Sequence, residues 1–439
     1  MQTIDTLIIP RWIVPIEPAH TVLTDHALAI DQGRIVAIEP TVQALQHFAP
    51  RETIQRPQHV LLPGLINLHS HAGMTLLRGV GDDLPLQEWL HSHIWPLEQK
   101  LLNDSFVFDG TQLACAEMLL GGITTFNDMY FFPEAAVRAA EHLGMRIAAG
   151  IIVIDFPSAY ASDADSYLNQ GLALRDRLRD EALVSFCLAP HAPYSVSDAA
   201  FSRVQTLSEQ LNLPVHVHLH ETQSEIDDSL RQYGCRPLAR LERLGLLGPQ
   251  LIGVHAVHLN ATEIEQLARL GSHLVHCPSS NLKLGSGIAP THAWRAAGIN
   301  FGLGTDSSAS NNRLDLWTEM RTASLLAKGS SGNATAGSAM HTLQAATLDG
   351  ARALGLEHEI GSLVAGKAAD LCLVDLGQII CQPVYDVISH LVYVTGREQV
   401  SDVWVAGKQR VGGQQLLDPV HKLYLSSRLA AWQCHLHSL

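Results

Sequence analysis

The chain of 439 residues is 46% hydrophobic, long enough for one large barrel plus a smaller second domain and too apolar for a disordered or fibrous protein. Its formal net charge of −14 speaks against nucleic-acid binding, which draws on Lys and Arg, and favours a small, roughly neutral substrate. No basic segment leads into an apolar run at the N-terminus, and nowhere do eighteen uncharged apolar residues follow one another, so a soluble, cytoplasmic protein with no membrane partner is expected.

In chain order, the first fifty-odd residues read as short strands with hairpin signals, as in Ala27–Ile30, the turn Asp31-Gln32-Gly33, and Arg34–Ile38. From there apolar runs alternate with helical patterns. Eight strand candidates follow: Gly64–Leu68, Ile123–Asn127, Arg146–Val153, Val184–Ala189, Pro214–Leu219, Leu251–Val254, His273–His276 and Ile299–Gly304. Helical stretches separate most of them, among them Pro133–Leu143, Asp198–Leu211 and Ala261–Leu270. Strand-rich sequence returns at Ala369–Asp375 and Val400–Ala406. The expected architecture is α/β: a metal-dependent (β/α)8 TIM-type barrel over residues 59–360. A small β-sandwich domain would be built from both termini, residues 1–58 and 361–439, the latter including a C-terminal tail.

The seven cysteines (Cys115, Cys187, Cys235, Cys277, Cys372, Cys381, Cys434) are scattered, odd in number and without a C-x-x-C pair, and are expected to be buried free thiols. Histidine, with 24 copies, is where chemistry is to be sought. Strand one ends in His69-Ser70-His71, strand four in His191, strand five in His218 to Glu221, strand six in His255 and strand eight in Asp306. Barrel enzymes gather their active sites at these C-terminal strand ends.

In a strand alternate residues face one side, so His69 and His71 can grip one ion through two imidazoles. The plainer alternative is two histidines lining a polar pore. Strand five carries His216, His218 and His220 on one face, and periodicity does not say which of them is a ligand. Burying three imidazoles without partners would be costly. Asp306 leaves an apolar strand into a small, flexible turn and completes a nitrogen and oxygen set, unless it merely caps the following helix. Three histidines and a carboxylate suit zinc best, with iron or manganese as alternatives, and an open position for water would make the site catalytic. Such an ion lowers the pKa of bound water to about 7. Glu221, near the metal but not needed as a ligand, is the candidate proton shuttle.

The segment Pro63–His71 and the Gly304-Thr305-Asp306 turn resemble the first-strand and eighth-strand signatures of the amidohydrolase superfamily, in its mononuclear deaminase branch. Gly361-Ser362-Leu363, Gly366-Lys367 and Ala369-Asp370-Leu371 resemble the stretch with which many members return to the sandwich. Binuclear members carry a modified lysine after strand four. Here that stretch is Ala189–Tyr194, without lysine, which implies one Zn2+ per subunit.

Within the superfamily the chain resembles the 5'-methylthioadenosine/S-adenosylhomocysteine deaminases. The matching segments are Met74–Gly79, Glu88-Trp89-Leu90, Pro96-Leu97-Glu98, Pro278–Gly287, and Asp306–Asn312 with Glu319-Met320-Arg321. The resemblance implies that His69, His71, His218 and Asp306 hold the metal, that Glu221 is the general acid/base, and that His255, rather than His258, contacts the metal-bound water. It sets Trp89 against the purine, Glu98 on the ribose hydroxyls and His191 on the substrate near the ribose. A flat indole suits a base and a carboxylate accepts from a vicinal diol. Trp89 as core and Glu98 as a surface charge are the plain alternatives.

The implied reaction is hydrolytic deamination of an adenine nucleoside to the inosine analogue and ammonia by a metal-activated hydroxide, with Glu221, His255 and Asp306 moving the protons. The cytidine-deaminase signature H-x-E with P-C-x-x-C is not present. One departure bears on the substrate. Members accepting S-adenosylhomocysteine need cations for its carboxylate, yet from Ile147 no Lys or Arg occurs until Arg175. Methylthioadenosine is therefore the expected substrate, with S-adenosylhomocysteine and adenosine as further candidates. The competing readings are a deaminase or dechlorinase acting on guanine, a triazine or another aromatic amine, and a non-catalytic barrel scaffold. A homo-oligomer is expected.

Overall fold

The computed structural model describes residues 1–437. Eight parallel strands form one sheet in sequential order: Leu65–Ser70, Ile123–Asp128, Arg146–Val153, Val184–Pro190, Val215–Leu219, Leu251–His255, His273–His276 and Asn300–Leu303. Nearly every residue in these strands is buried on both faces, as parallel strands must be when helices cover them outside and packed side chains fill them inside. The intervening helices Pro133–Leu143, Asp198–Leu211 and Ala261–Leu270 stand where the apolar spacing predicts them. Ser197 and Asn260 cap the last two through their side chains.

The sheet curls until strand eight meets strand one. At that seam the buried Asn67 amide donates to Thr305 Oγ1 at 2.7 Å and its oxygen accepts from the Thr305 amide at 2.9 Å. Beyond it the Asp306 amide donates to the His69 carbonyl at 3.1 Å. Gly304 permits the approach, because a Cβ there would lie 2.9 Å from the His69 Cβ and 3.0 Å from its backbone nitrogen. The seam therefore fixes the two histidines of strand one beside the carboxylate that follows strand eight.

Both termini build a second, nine-stranded mixed sheet, in which the long strand Phe48–Pro63 lies between Gln2–Ile13 and Leu371–Asp375. Ile8, Leu28, Leu371 and Trp404 share one apolar core, and the sheet closes on itself where Arg34 bridges to Ala368 and the Ala369 amide donates to the Gly33 carbonyl at 2.9 Å. Asp370 joins it to the barrel, accepting from Arg146 Nε at 3.1 Å at the start of barrel strand three and from the Ala406 amide at 2.7 Å. The final helix, Pro419–His437, is tied to the barrel by Trp432 Nε1, Arg428 Nε and Tyr424, all donating to the buried Asp109. Among the described residues no helix is long and apolar enough to cross a membrane.

Replacing Asn67 by Ala leaves the Thr305 amide without its acceptor inside the seam, while the Thr305 hydroxyl keeps its bond to the Asp306 carbonyl. The expected outcome is a destabilisation of about 1–3 kcal/mol, read as a lowered denaturant midpoint, together with weaker metal retention because His69 and Asp306 are no longer held in register.

Candidate active site

Each of four imidazoles has one nitrogen committed to a protein group behind it. His71 Nδ1 donates to the Met129 carbonyl and His218 Nδ1 to the His191 carbonyl, the latter at 2.6 Å. His255 Nδ1 sits 2.8 Å from the Asn281 amide oxygen, and His69 Nδ1 lies 3.0 Å from His216 Nε2. A carbonyl can only accept, so for His71 and His218 the ring proton is on Nδ1 and a neutral ring carries its lone pair on Nε2. Those Nε2 atoms face inward. His69 and His71 each bring Nε2 to 3.3 Å from Asp306 Oδ1, while the buried His69 Nε2 has no hydrogen-bond partner.

Imidazole nitrogens and a carboxylate oxygen converging on that gap suit a positive charge between them: burial lowers His71, but the Asp306 carboxylate outweighs it and raises His71 above its ordinary value. Ligand atoms about 3.3 Å apart are also what bonds of about 2.0–2.1 Å at tetrahedral angles produce. Metal-ligating atoms of His69, His71 and Asp306 form one close group, and those of His69, His218 and His255 a second that shares His69. The donor set fits one divalent ion of the nitrogen and oxygen class.

Electrostatics favour the same use. Burial drives His69 down to about 3, and burial together with the surrounding imidazoles takes His218 well below its ordinary value, so both are in the neutral form that binds metal. Burial works against ionisation of Asp306, but the imidazoles of His69 and His71 outweigh it and hold its carboxyl well below the usual range. Its second oxygen, Oδ2, is occupied by the hydroxyls of Ser280 and Ser310 at 2.6 and 2.7 Å, which leaves Oδ1 for the centre.

Burial raises the Glu221 carboxyl above its ordinary value, with His255 pulling the other way. Glu221 Oε2 lies 3.8 Å from His255 Nε2, and its backbone amide is fixed by the carboxylate of Glu225 at 2.8 Å. Two of these residues stand on left-handed backbone, His255 at φ 70° and Asp306 at φ 60°. Such conformations cost about 1–3 kcal/mol each and persist only where the surroundings over-determine them.

Strand five departs from the expected single face of three histidines. His216 lies deeper and braces His69. The chain turns to φ 52° at His220, which swings that ring away, so that its Nε2 accepts from the Leu238 amide at 3.0 Å while Nδ1 is 3.7 Å from Glu263. Period-two alternation fails there because the strand has ended at Leu219. His258 also faces elsewhere, toward the Ser286 carbonyl.

A cavity opens above the histidines, and His71, His191, His218, Glu221, His255 and Asp306 line it together with Trp89 and Glu98. Trp89 is buried in the stretch Leu86–Trp89, its Nε1 donating to the Val80 carbonyl at 3.0 Å. Glu98 accepts from the Tyr130 hydroxyl at 2.6 Å and is pushed up to about 7 by burial, against the lowering effect of that bond. His191 Nδ1 lies 2.8 Å from the Ser195 hydroxyl. Sequence reasoning did not find Tyr130, Ser280, Ser310 or Asn281. The last three lie in the segments Pro278–Gly287 and Asp306–Asn312, where small polar residues directly after a strand end were the available signal. Much of the remaining wall is apolar, including Trp95, Ile152, Ile154 and Phe156.

Residues 60–410 match the amidohydrolase family. The chain is 44% identical over 431 residues to a 5-methylthioadenosine/S-adenosylhomocysteine deaminase of Teredinibacter turnerae, covering 98% of this chain and 97% of that protein. It is 49% identical to an adenosine deaminase from Xanthomonas campestris solved with bound zinc, covering all of both chains with a TM-score of 0.98. An atrazine chlorohydrolase from Arthrobacter aurescens, at 24% identity and a TM-score of 0.90 over 97% of this chain and 99% of that one, shares the fold.

Elemental analysis distinguishes the roles on strand five. His218→Ala and Asp306→Ala are each expected to reduce bound metal from about one ion per chain to trace amounts. His220→Ala should retain the ion while losing about 1–3 kcal/mol of stability through the abandoned Leu238 amide.

Proposed function

The chain belongs to the amidohydrolase family, and we propose that it is a zinc-dependent deaminase that converts an adenine nucleoside, 5'-methylthioadenosine foremost, to the inosine analogue and ammonia. What supports this reading is one cavity lined by His71, His218 and Asp306 of the inward-facing donor set, by a carboxyl suited to proton transfer in Glu221, and by Trp89 and Glu98, an indole and a carboxylate with a use on a ribosylated base. His69, His71, His218 and Asp306 would hold the zinc. When bound, that ion supplies a Lewis acid that brings the pKa of a water to about 7.

The chain's own residues then divide the work. Trp89 packs against the purine and Glu98 accepts from the ribose hydroxyls, while His191 contacts the nucleoside near the sugar; together they bring C6 to the ligand cluster. Glu221 donates its proton to ring N1, which makes C6 electron-poor as water adds there. Asp306 and His255 orient that water and take up its proton. A second transfer delivers a proton to the exocyclic nitrogen, which leaves as ammonia while the carbonyl forms, so that one water is consumed for each ammonia released.

The 5' substituent meets apolar wall. Strand three and the loop after it contribute Ile152, Ile154 and Phe156, and Arg146 at the opposite end of that strand is committed to Asp370. The described lining residues include no Lys or Arg, and their carboxylates are Glu98, Glu221 and Asp306. An uncharged thioether suits this wall, whereas a carboxylate tail finds no cation.

Three measurements test the reading. Purified protein given adenine nucleosides, guanine and a triazine should deaminate the nucleosides, with methylthioadenosine favoured over S-adenosylhomocysteine by about tenfold or more in kcat/KM. Equal efficiency would refute the preference, and turnover of guanine or the triazine alone would favour the other aromatic amines. Glu221→Gln should lower kcat by at least about a hundredfold with zinc retained, and loss of the ion would make Glu221 a ligand instead of a shuttle. Glu98, raised to about 7, is ionised above that pH and protonated below it. KM for ribosides should therefore rise as pH falls through about 7, while a 2',3'-dideoxy analogue shows no such rise.

A further inference from the structure

Three of the segments that carry the family resemblance meet at one point outside the ligand cluster. Arg78 and Asp82 lie in the loop that follows strand one, Lys283 ends the short helix Pro278–Lys283 after strand seven, and Asn312 lies in the loop after strand eight. Lys283 Nζ donates to Asp82 Oδ1 at 2.6 Å, to the Ala309 carbonyl at 3.1 Å and to the Asn312 side-chain oxygen. The Asn312 amide nitrogen donates to the other Asp82 oxygen at 2.8 Å, closing a ring of three side chains. Arg78 joins it by donating to the Asn312 carbonyl while paired with Glu117.

This ring is the polar anchor of a loop whose apolar hold on the core is the partly buried Val80 and Leu84. Gly79, Asp82, Asp83 and Pro85 are exposed, and Gly79, Gly81 and Asp83 occupy left-handed backbone at φ 77°, 69° and 65°. A segment with few buried apolar contacts draws its order from whatever polar anchor it has. The Val80 carbonyl within this loop accepts from Trp89 Nε1, and Leu86, Trp89, Leu90, Ile94 and Glu98, which follow it, form one wall of the cavity.

We propose that Lys283 is a positioning residue for nucleoside binding: by fastening Asp82 to Asn312 it fixes the loop that carries Trp89, and with it the wall that receives the base and the ribose. It touches neither the ligand cluster nor the reacting atoms. Losing it therefore weakens binding of substrate and transition state alike, which raises KM and leaves kcat nearly unchanged. The kinetic part rests on the nucleoside reading above, whereas the structural part does not.

The test compares Lys283→Gln, Asp82→Asn and Lys283→Arg with the parent protein, zinc-loaded. Amide hydrogen exchange over residues 79–95 is measured without substrate, and steady-state kinetics with methylthioadenosine. Expected for Lys283→Gln and Asp82→Asn are faster exchange confined to that segment and a KM raised about tenfold with kcat within about threefold. Lys283→Arg, which keeps the cation, should restore both to within about threefold of the parent. Unchanged exchange in both variants overturns the proposal, as does faster exchange with unmoved KM, or a fall in kcat alone. If the parent protein turns over no nucleoside, the functional reading fails and the exchange result by itself decides whether Lys283 fixes the loop.

Discussion

The structure turns on a constraint at the bottom of the cavity: every imidazole that faces the centre is tied from behind. With Nδ1 of His71 and His218 spent on backbone carbonyls, and those of His69 and His255 set against His216 and Asn281, the rings cannot rotate to satisfy their inner nitrogens elsewhere. Asp306 is treated likewise, one oxygen held by Ser280 and Ser310 and the other left facing His69 and His71. Buried imidazole nitrogens gathered round one carboxylate oxygen are best served by a positive charge at the centre, so the protein has placed the energetic demand for a cation into its own scaffold.

That demand could not be met by local structure, because the ligands come from strands far apart in the chain. The seam between strands one and eight does the gathering. Asn67 clasps Thr305 through two hydrogen bonds, and the next amide, that of Asp306, binds the His69 carbonyl, so Asp306 is held on left-handed backbone at φ 60°. His255, also left-handed, is pinned on both sides, with the following Ala256 amide donating to the Leu219 carbonyl of strand five at 2.9 Å. Strain of this kind sits where the chemistry needs a fixed direction, and the burial of the surrounding barrel offsets it.

Much of this was legible in the residues. Eight apolar runs, five of them leading into His, Glu or Asp, are the expected trace of a barrel whose strands are buried on both faces and open only at one end, and strands three and seven run over the residues predicted for them. What resisted was the behaviour just past the strand ends. Alternation treats His220 as a neighbour of His218 in direction, yet the backbone turns at His220 and hands its ring to the Leu238 amide. Likewise Asn281 and Ser280 act through contacts with residues distant in sequence, while Ser310 reaches Asp306 four residues back through the turn between them, and no local period announces any of the three. The sheet of both termini was visible as strands, but its closure, through the Arg34–Ala368 bridge and the Ala369 amide on the Gly33 carbonyl, depends on contacts between residues more than three hundred positions apart.

The division between strand ends and loops also explains how one scaffold can carry chemistry and selectivity separately. The inward donors and Glu221 lie at or just beyond the ends of strands whose positions the closed barrel dictates; on the proposed reading, altering them alters whether a reaction occurs at all. Trp89, Glu98, Trp95 and Phe156 lie on segments outside the barrel staves, where side chains can change without moving a ligand. On the proposed reading substrate identity therefore resides outside the staves, in keeping with function being carried by sites grafted on folds. Such freedom has a physical cost, since an exposed loop orders a binding wall poorly unless something fastens it. A charged knot between Asp82, Lys283 and Asn312 meets that need without burying apolar surface, so the wall can vary in composition while its attachment to the rigid end of the barrel stays the same.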